Sequence, residues 1–148
     1  GIPDLAFHLV GFTGDGRYYQ QCRRFAEENG LSNVTFHPDA PFEEMRALLQ
    51  SSRYFLHTLV NEPFGLTAVQ AVAAGCIPIV HDSGGQCETV PIPDLRYQAL
   101  AEVPAMIEQL EAADRDGLRR RLQQHAAEHF DESVFKGKMS EVLALQTP

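Results

Sequence analysis

Cysteine is scarce in this chain: Cys22, Cys76 and Cys87 are the only three among 148 residues. Their spacing fits no metal site and the odd number leaves one over, so reduced thiols in a cytoplasmic protein are the simplest reading. Positive charge is also in deficit, with 12 Lys and Arg against 20 Asp and Glu, a net charge of −8 and a pI near 5.1. That balance argues against a nucleic-acid partner or a general anionic-membrane surface. It leaves room for a small anionic ligand, because helix N-termini and backbone amides hold phosphate without net positive charge. No apolar run approaches the ~20 residues of a membrane span, and no signal peptide is recognisable. Internal repeats and low-complexity segments are missing. So is a Gly-x-Gly-x-x-Gly run after the first strand, which would have marked a dinucleotide site.

What is present is an ordinary soluble composition, 44% hydrophobic and 22% charged. Residues 1–148 make one domain, long enough to bury about two thirds of its unfolded surface. The chain begins abruptly at Gly1-Ile2-Pro3-Asp4, just before a strand. Leu5 to Phe12 reads as a buried strand, followed by the turn Thr13-Gly14-Asp15-Gly16. A helix from Tyr18 to Asn29 carries Cys22, Phe25 and Ala26 at helical spacing and ends at Gly30. Val34 to His37 is a short strand, and Phe42 to Gln50 a small helix with Phe42, Met45, Leu48 and Leu49 inward. Tyr54 to His57 is the next strand. After Glu88 the pattern loosens, with an edge strand near Leu95 to Tyr97, then helices over Leu100 to Ala113, Arg115 to Glu128 and Glu132 to Leu145. This alternation predicts an α/β fold, a Rossmann-like parallel sheet with helices on both faces.

The stretch from Val60 to Val90 organises the rest. It reads as a loop, a helix from Gly65 to Ala74, a turn at Gly75, a strand opened by Pro78, and a second loop containing Gly84-Gly85. The helix is small and apolar except for Thr67 and Gln70, three apart and on one face, so burial is expected for it. With a parallel sheet, both flanking loops fall at the C-terminal ends of strands, where open α/β sheets bind ligands.

Residue by residue, the amides of Gly65, Leu66 and Thr67 open a helix and suit an anion, with the Thr67 hydroxyl as a further donor; the bland alternative is a helix-entry turn. Glu62 precedes that helix, where its macrodipole favours a carboxylate. Gly14, Gly84 and Gly85 permit positive φ or close backbone approach, although glycines in such turns are common without a ligand. Phe36-His37-Pro38 lies at a strand end, as do His57 and His81; most histidines in such places are structural. Arg119-Arg120-Arg121 reads as a solvated face. His125 and His129 share a helix face but lack a third metal ligand.

The run Glu62-Pro63-Phe64-Gly65, Gln70, Ala71, Ala73, Gly75, Pro78, Gly84-Gly85 and Glu88 closely resembles the signature of group 1 (family 4) retaining glycosyltransferases. That signature is Glu-Pro-Phe-Gly, a second Glu, Ala-x-Ala-x-Gly-x-Pro-Val, then Gly-Gly and Glu. Leu9 to Gly16 and Asn33 to Pro41 resemble further segments of the same family. The resemblance implies the C-terminal, donor-binding half of a GT-B enzyme that takes a nucleoside-diphosphate sugar. Under it Glu62 is the catalytic carboxylate at the donor sugar. Phe64, Gly65, Leu66, Thr67, Gly14, His37, Gly84 and Gly85 contribute to donor binding, and Gln70 meets the ribose. Gln70 departs from the pattern, which has Glu; an amide still donates and accepts there, with a loss of ~1 kcal/mol of charge assistance.

Two family pieces are absent: the N-terminal acceptor domain, and the first donor-domain strand with its diphosphate-binding Arg and Lys. The expectation is therefore a fragment of a longer hexosyltransferase, inactive in isolation, with membrane contact only peripheral and through the missing domain. No cofactor or metal is implied. The segments from His57 to Gly65 and from His81 to Gly85 resemble the mannosyltransferases that elongate lipid-linked oligosaccharide, which favours mannose as the sugar. The alternatives are a non-catalytic nucleotide-sugar-binding homologue and a nucleotide-sugar epimerase of the same architecture.

Overall fold

The computed structural model describes residues 5–145 and divides at Ser51/Ser52 into two compact units. The abrupt start at Gly1-Ile2-Pro3-Asp4 lies outside the described residues. All strand pairings are parallel, as expected, but the strands fall in two sheets, one per unit.

In the first unit, β1 (Phe7–Gly11) pairs in parallel with β2 (Val34–Pro38), in the register Phe7↔Val34 to Gly11↔Pro38. Helix α1 (Arg17–Glu28) connects them and α2 (Phe42–Ser51) follows. The expected buried strand is not found: every residue of β1 is exposed. A strand with a single pairing in a two-stranded sheet has one open edge and too few neighbours to cover both faces. The same economy leaves Phe25 of α1 and Phe42 of α2 exposed, at 62% and 60%. Ala26 is buried, while Cys22, Met45, Leu48 and Leu49 are half-buried.

The second unit holds the core. Strands β3 (Tyr54–His57), β4 (Ile77–His81) and β5 (Arg96–Tyr97) pair in parallel in the order β3-β4-β5. The central β4 is a continuous apolar run, the pattern of a parallel strand covered on both faces. Ile77, Ile79 and Val80 are fully buried, each worth about 2 kcal/mol in area removed from water. Pro78 is the second residue of β4 rather than its first. The Ile77 amide donates toward the β3 side, to the Arg53 carbonyl at 2.9 Å. Alternation then turns the Pro78 nitrogen to the β5 side, where pairing begins only at Val80, so its missing N–H breaks no ladder bond.

Helix α3 (Leu66–Ala74) precedes β4. It is buried on one face only, through Ala68, Ala71 and Val72. Thr67 and Gln70 share the exposed face with Leu66, so the expectation of a wholly buried helix is corrected. Gly75 ends it at φ 97, with the Cys76 amide donating to Ala71 and the Gly75 amide to Val72, a Schellman arrangement that β-carbons disfavour.

Beyond the short α4 (Gln86–Thr89), the expected helix from Leu100 splits into a 3-10 turn at Leu100–Glu102 and α5 (Val103–Ala112), with Pro104 in its first turn. The Asp114 carboxylate caps α6 (Arg115–Phe130) by accepting from the Gly117 amide at 2.9 Å. Helix α7 spans Glu132–Leu145. Leu122 of α6 is buried, and Gln123 donates to the Val72 carbonyl of α3. Among the described residues no helix is long and apolar enough to cross a membrane.

Candidate functional site

The two loops at the C-terminal ends of β3 and β4 meet, and the helix α3 starts from their junction. Glu62 lies in the first loop with its side chain 20% exposed. Its Oε1 accepts from the amides of Phe64 and Gly65, both at 3.3 Å. The Gly65 amide is thus paired with the protein's own carboxylate. A carboxylate there also opposes the positive end of the helix dipole. No hydrogen bond to the Leu66 or Thr67 amide forms among the described residues, so these two orphan donors stay available at the helix start.

The second loop is joined to the first by backbone. Gly85 donates its amide to the Glu62 carbonyl at 2.8 Å, and Asn61 donates to Ser83 Oγ at 2.8 Å. Ser83 in turn pairs with His81 Nδ1 at 2.8 Å. A β-carbon on Gly84 would run into the Glu62 carbonyl, and one on Gly85 into the Pro63 carbonyl. Gly84 also sits at φ 66. The close approach that these glycines permit is thus to the Glu62-Pro63 backbone. Gly65, at φ 73, is pressed against α4, where a β-carbon would lie 2.8 Å from Thr89 Oγ1.

A side chain that sequence reasoning missed holds the junction from beneath. Gln86 is fully buried, and its amide nitrogen donates to the carbonyls of Leu59 at 3.1 Å and His81 at 2.8 Å. Its Oε1 is buried without a hydrogen-bond partner. A Gln after Gly-Gly carries no periodic signal, so only the packed loops reveal this role. The Tyr97 hydroxyl similarly donates to the His57 carbonyl at 2.9 Å, and burial raises its pKa. Asp82 accepts from Arg96 and Gln98, while Arg96 also donates to the carbonyls of Val90 and Cys87, fastening α4 to β5.

Of the residues singled out in the sequence, Glu62, Gly65, Gly84 and Gly85 are brought into contact. Phe64, Leu66, Thr67 and Gln70 are exposed at the same helix start or on its outer face. His57 points its Nε2 at Glu62 Oε2, 3.9 Å away. Gly14 and His37 belong to the first unit. Gly14, at φ 56, is in the turn after β1, whose Thr13 amide and hydroxyl both donate to Asp39. The His37 ring lies between the Glu44 carboxylate, 2.8 Å from Nδ1, and His8 Nδ1, 2.9 Å from Nε2. Both ring nitrogens are therefore spoken for by local partners. His125 has a local partner too, the Glu88 carbonyl at 2.9 Å.

The arrangement offers an anion two free amides and a hydroxyl at the start of α3, beside an anchored carboxylate. Comparisons with known proteins bear on the family. The family model for glycosyl transferases, group 1, matches residues 2–127. A GDP-Man:Man(3)GlcNAc(2)-PP-Dol alpha-1,2-mannosyltransferase of Homo sapiens is 38% identical over 95 residues, covering 62% of this chain and 19% of that protein. Proteins of the same name from Yarrowia lipolytica and Kluyveromyces lactis are 41% identical over 59 residues and 33% over 98, covering 39% and 62% of this chain and 9% and 17% of those proteins. The chain thus spans about a fifth or less of the length of the curated relatives it matches.

Proposed function

This chain belongs to the group 1 glycosyl transferases, and from that premise we propose that it is the donor-binding part of a longer retaining mannosyltransferase. The donor is a nucleoside-diphosphate sugar, with GDP-mannose favoured by the relatives' names, and the acceptor is a lipid-linked glycan. The observation that carries this reading is Glu62, fixed at the start of α3 beside the free amides of Leu66 and Thr67.

Transfer breaks the bond between the anomeric carbon and the donor phosphate, leaving the bonding pair on the diphosphate, while the acceptor hydroxyl forms the new glycosidic bond and gives its proton to the departing phosphate oxygen. Charge therefore grows on the diphosphate, and donors already aimed at it stabilise the transition state without reorganising. The Leu66 and Thr67 amides and the Thr67 hydroxyl supply such donors. Glu62 keeps acceptor capacity beyond its two amide bonds. It accepts sugar hydroxyls and opposes positive charge at the anomeric carbon. Gln70, exposed one turn along, meets the ribose. No metal forms part of this reading, so transfer by the longer enzyme should survive EDTA. The three cysteines are thiols, which suits the cytoplasmic side, where this reading places the chain.

A second reading, a nucleotide-sugar-binding homologue without turnover, is favoured specifically by Gln70 in place of the second motif Glu. Calorimetric titration with GDP, UDP, ADP and their sugar conjugates tests both. Saturable binding of GDP-mannose, weakened by Glu62→Ala while GDP binding is not, supports the donor site. Binding without turnover in the full-length enzyme would favour the second reading. Glu62→Ala leaving both ligands unaffected would overturn the assignment of Glu62.

A further inference from the structure

The Glu62 carboxylate is approached from two directions. One oxygen is held by the Phe64 and Gly65 amides. The other faces an imidazole to which the reaction described above gives no role: His57 Nε2 lies 3.9 Å from Glu62 Oε2. The two side chains are 13% and 20% exposed, so neither swings freely in solvent.

The ring's orientation is set from the opposite side. The Leu59 amide donates to His57 Nδ1 at 3.3 Å, which makes Nδ1 an acceptor and places the proton on Nε2, toward the carboxylate. Leu59 is itself held, through its carbonyl, by the buried Gln86 amide. The His57 carbonyl is held by the Tyr97 hydroxyl, and the Phe55 ring lies 5.9 Å from the imidazole. A continuous chain of contacts thus runs from the buried Gln86, through Leu59 and His57, to the carboxylate. Hydrogen bonds of catalytic groups are often long in a ligand-free site and shorten when substrate binds.

We propose that His57 is a positioning residue that presents Glu62 to the donor sugar. Its Nε2–H keeps Glu62 Oε2 turned away from solvent and in line with the sugar hydroxyls, while the helix amides hold Oε1. The inference rests on the reading of Glu62 as the sugar-facing carboxylate, and its test must separate the two.

Steady-state kinetics of the full-length enzyme with GDP-mannose, for His57→Ala, His57→Gln and His57→Asn beside Glu62→Ala, does so. Gln reaches its amide nitrogen to about the place of Nε2, whereas Asn reproduces only the acceptor toward Leu59. His57→Ala should lower kcat about 10- to 100-fold with a small change in KM, the signature of a displaced group rather than a lost binding contact. His57→Gln should recover most of kcat, and His57→Asn should recover thermal stability but not kcat. Calorimetry with GDP and GDP-mannose provides a second readout: His57→Ala should trim the affinity added by the sugar only slightly, in step with the small change in KM and far less than Glu62→Ala does, and leave GDP binding unchanged. If Glu62→Ala is impaired and His57→Ala is not, or if Asn rescues as well as Gln, the inference fails and the donor-site reading stands. If Glu62→Ala changes neither kcat nor the sugar's increment, the reading fails and this inference falls with it.

Discussion

The amide of Gly85 donates to the carbonyl of Glu62 across 2.8 Å, so the Gly-Gly loop is a mould for the segment that carries the carboxylate. In a βα turn of this kind, glycines invite the reading that a ligand approaches them. Here the protein's own backbone makes such a close approach. Loop geometry after β4 sets the position of Glu62 at the end of β3.

Gly85→Ala should accordingly destabilise the fold by about 2–3 kcal/mol, because its methyl meets the rigid Pro63 carbonyl and the overlap has no flexible side chain to displace. Urea unfolding measures the loss. GDP-mannose affinity should fall in the folded fraction as well. An unchanged midpoint together with unchanged affinity would show that the two loops are not coupled.

Gln70→Glu should leave the melting temperature within about 1–2 °C of the parent, because Gln70 is exposed and, among the described residues, its side chain makes no hydrogen bond that an exchange to carboxylate would break. Calorimetry should show GDP-mannose bound several-fold more tightly, as a charge-assisted bond replaces a neutral one at the ribose, about 1 kcal/mol. Weaker or equal binding would remove Gln70 from the ribose contact.

Cys76 supplies a pH dependence. Burial pushes its thiol from the ordinary 9.0 up to about 11, with nearby Arg119 opposing the rise. A raised native value means that the folded state holds the proton more tightly. The stabilisation is complete below the unfolded value and is lost as pH climbs from about 9 to about 11, roughly 2–3 kcal/mol in all. Chemical denaturation at pH 8 and pH 10.5 should show that decline, and Cys76→Ala should flatten it. At pH 8 the Cys76 thiol should also resist alkylation until the chain unfolds.

Asp39 supplies the opposite sign. Bonds from the Thr13 hydroxyl and amide hold its carboxyl below the usual value. A lowered native value means that the turn after β1 is secured above the unfolded value and loosens as pH falls through the native one, that is, below about pH 4. Protection of the Thr13 and Gly16 amides against hydrogen exchange, relative to an unstructured peptide at the same pH, should fall in that window, and in Asp39→Ala at neutral pH. No change in either would show that these bonds do not hold the turn.

The elements were largely legible. β3 and α7 fall where spacing placed them, α3 starts one residue late, and Gly75 stops it by the left-handed turn that glycine alone adopts cheaply. Those features rest on periodicity and turn chemistry, which are local. What failed was burial at a distance. The apolar run of β1 reads as core, but a strand's exposure depends on how many neighbours its sheet supplies, and here β1 has one. Phe42 failed in the same way, as an apolar residue at inward spacing on a helix with little to pack against.

The candidate site divides along the same line. By itself the sequence determined which residue types stand at the ends of β3 and β4: the Glu-Pro-Phe-Gly run, Gln70 in place of Glu, and the paired glycines. Tertiary structure alone decided what they touch. It paired the Gly65 amide with Glu62. It turned Gly84 and Gly85 toward the Glu62-Pro63 backbone, buried Gln86 under both loops, and set His57 against the carboxylate. The reason is geometric. Parallel strands bring loops together whose residues lie some twenty positions apart in the chain, and no short-range pattern records which atoms then face each other.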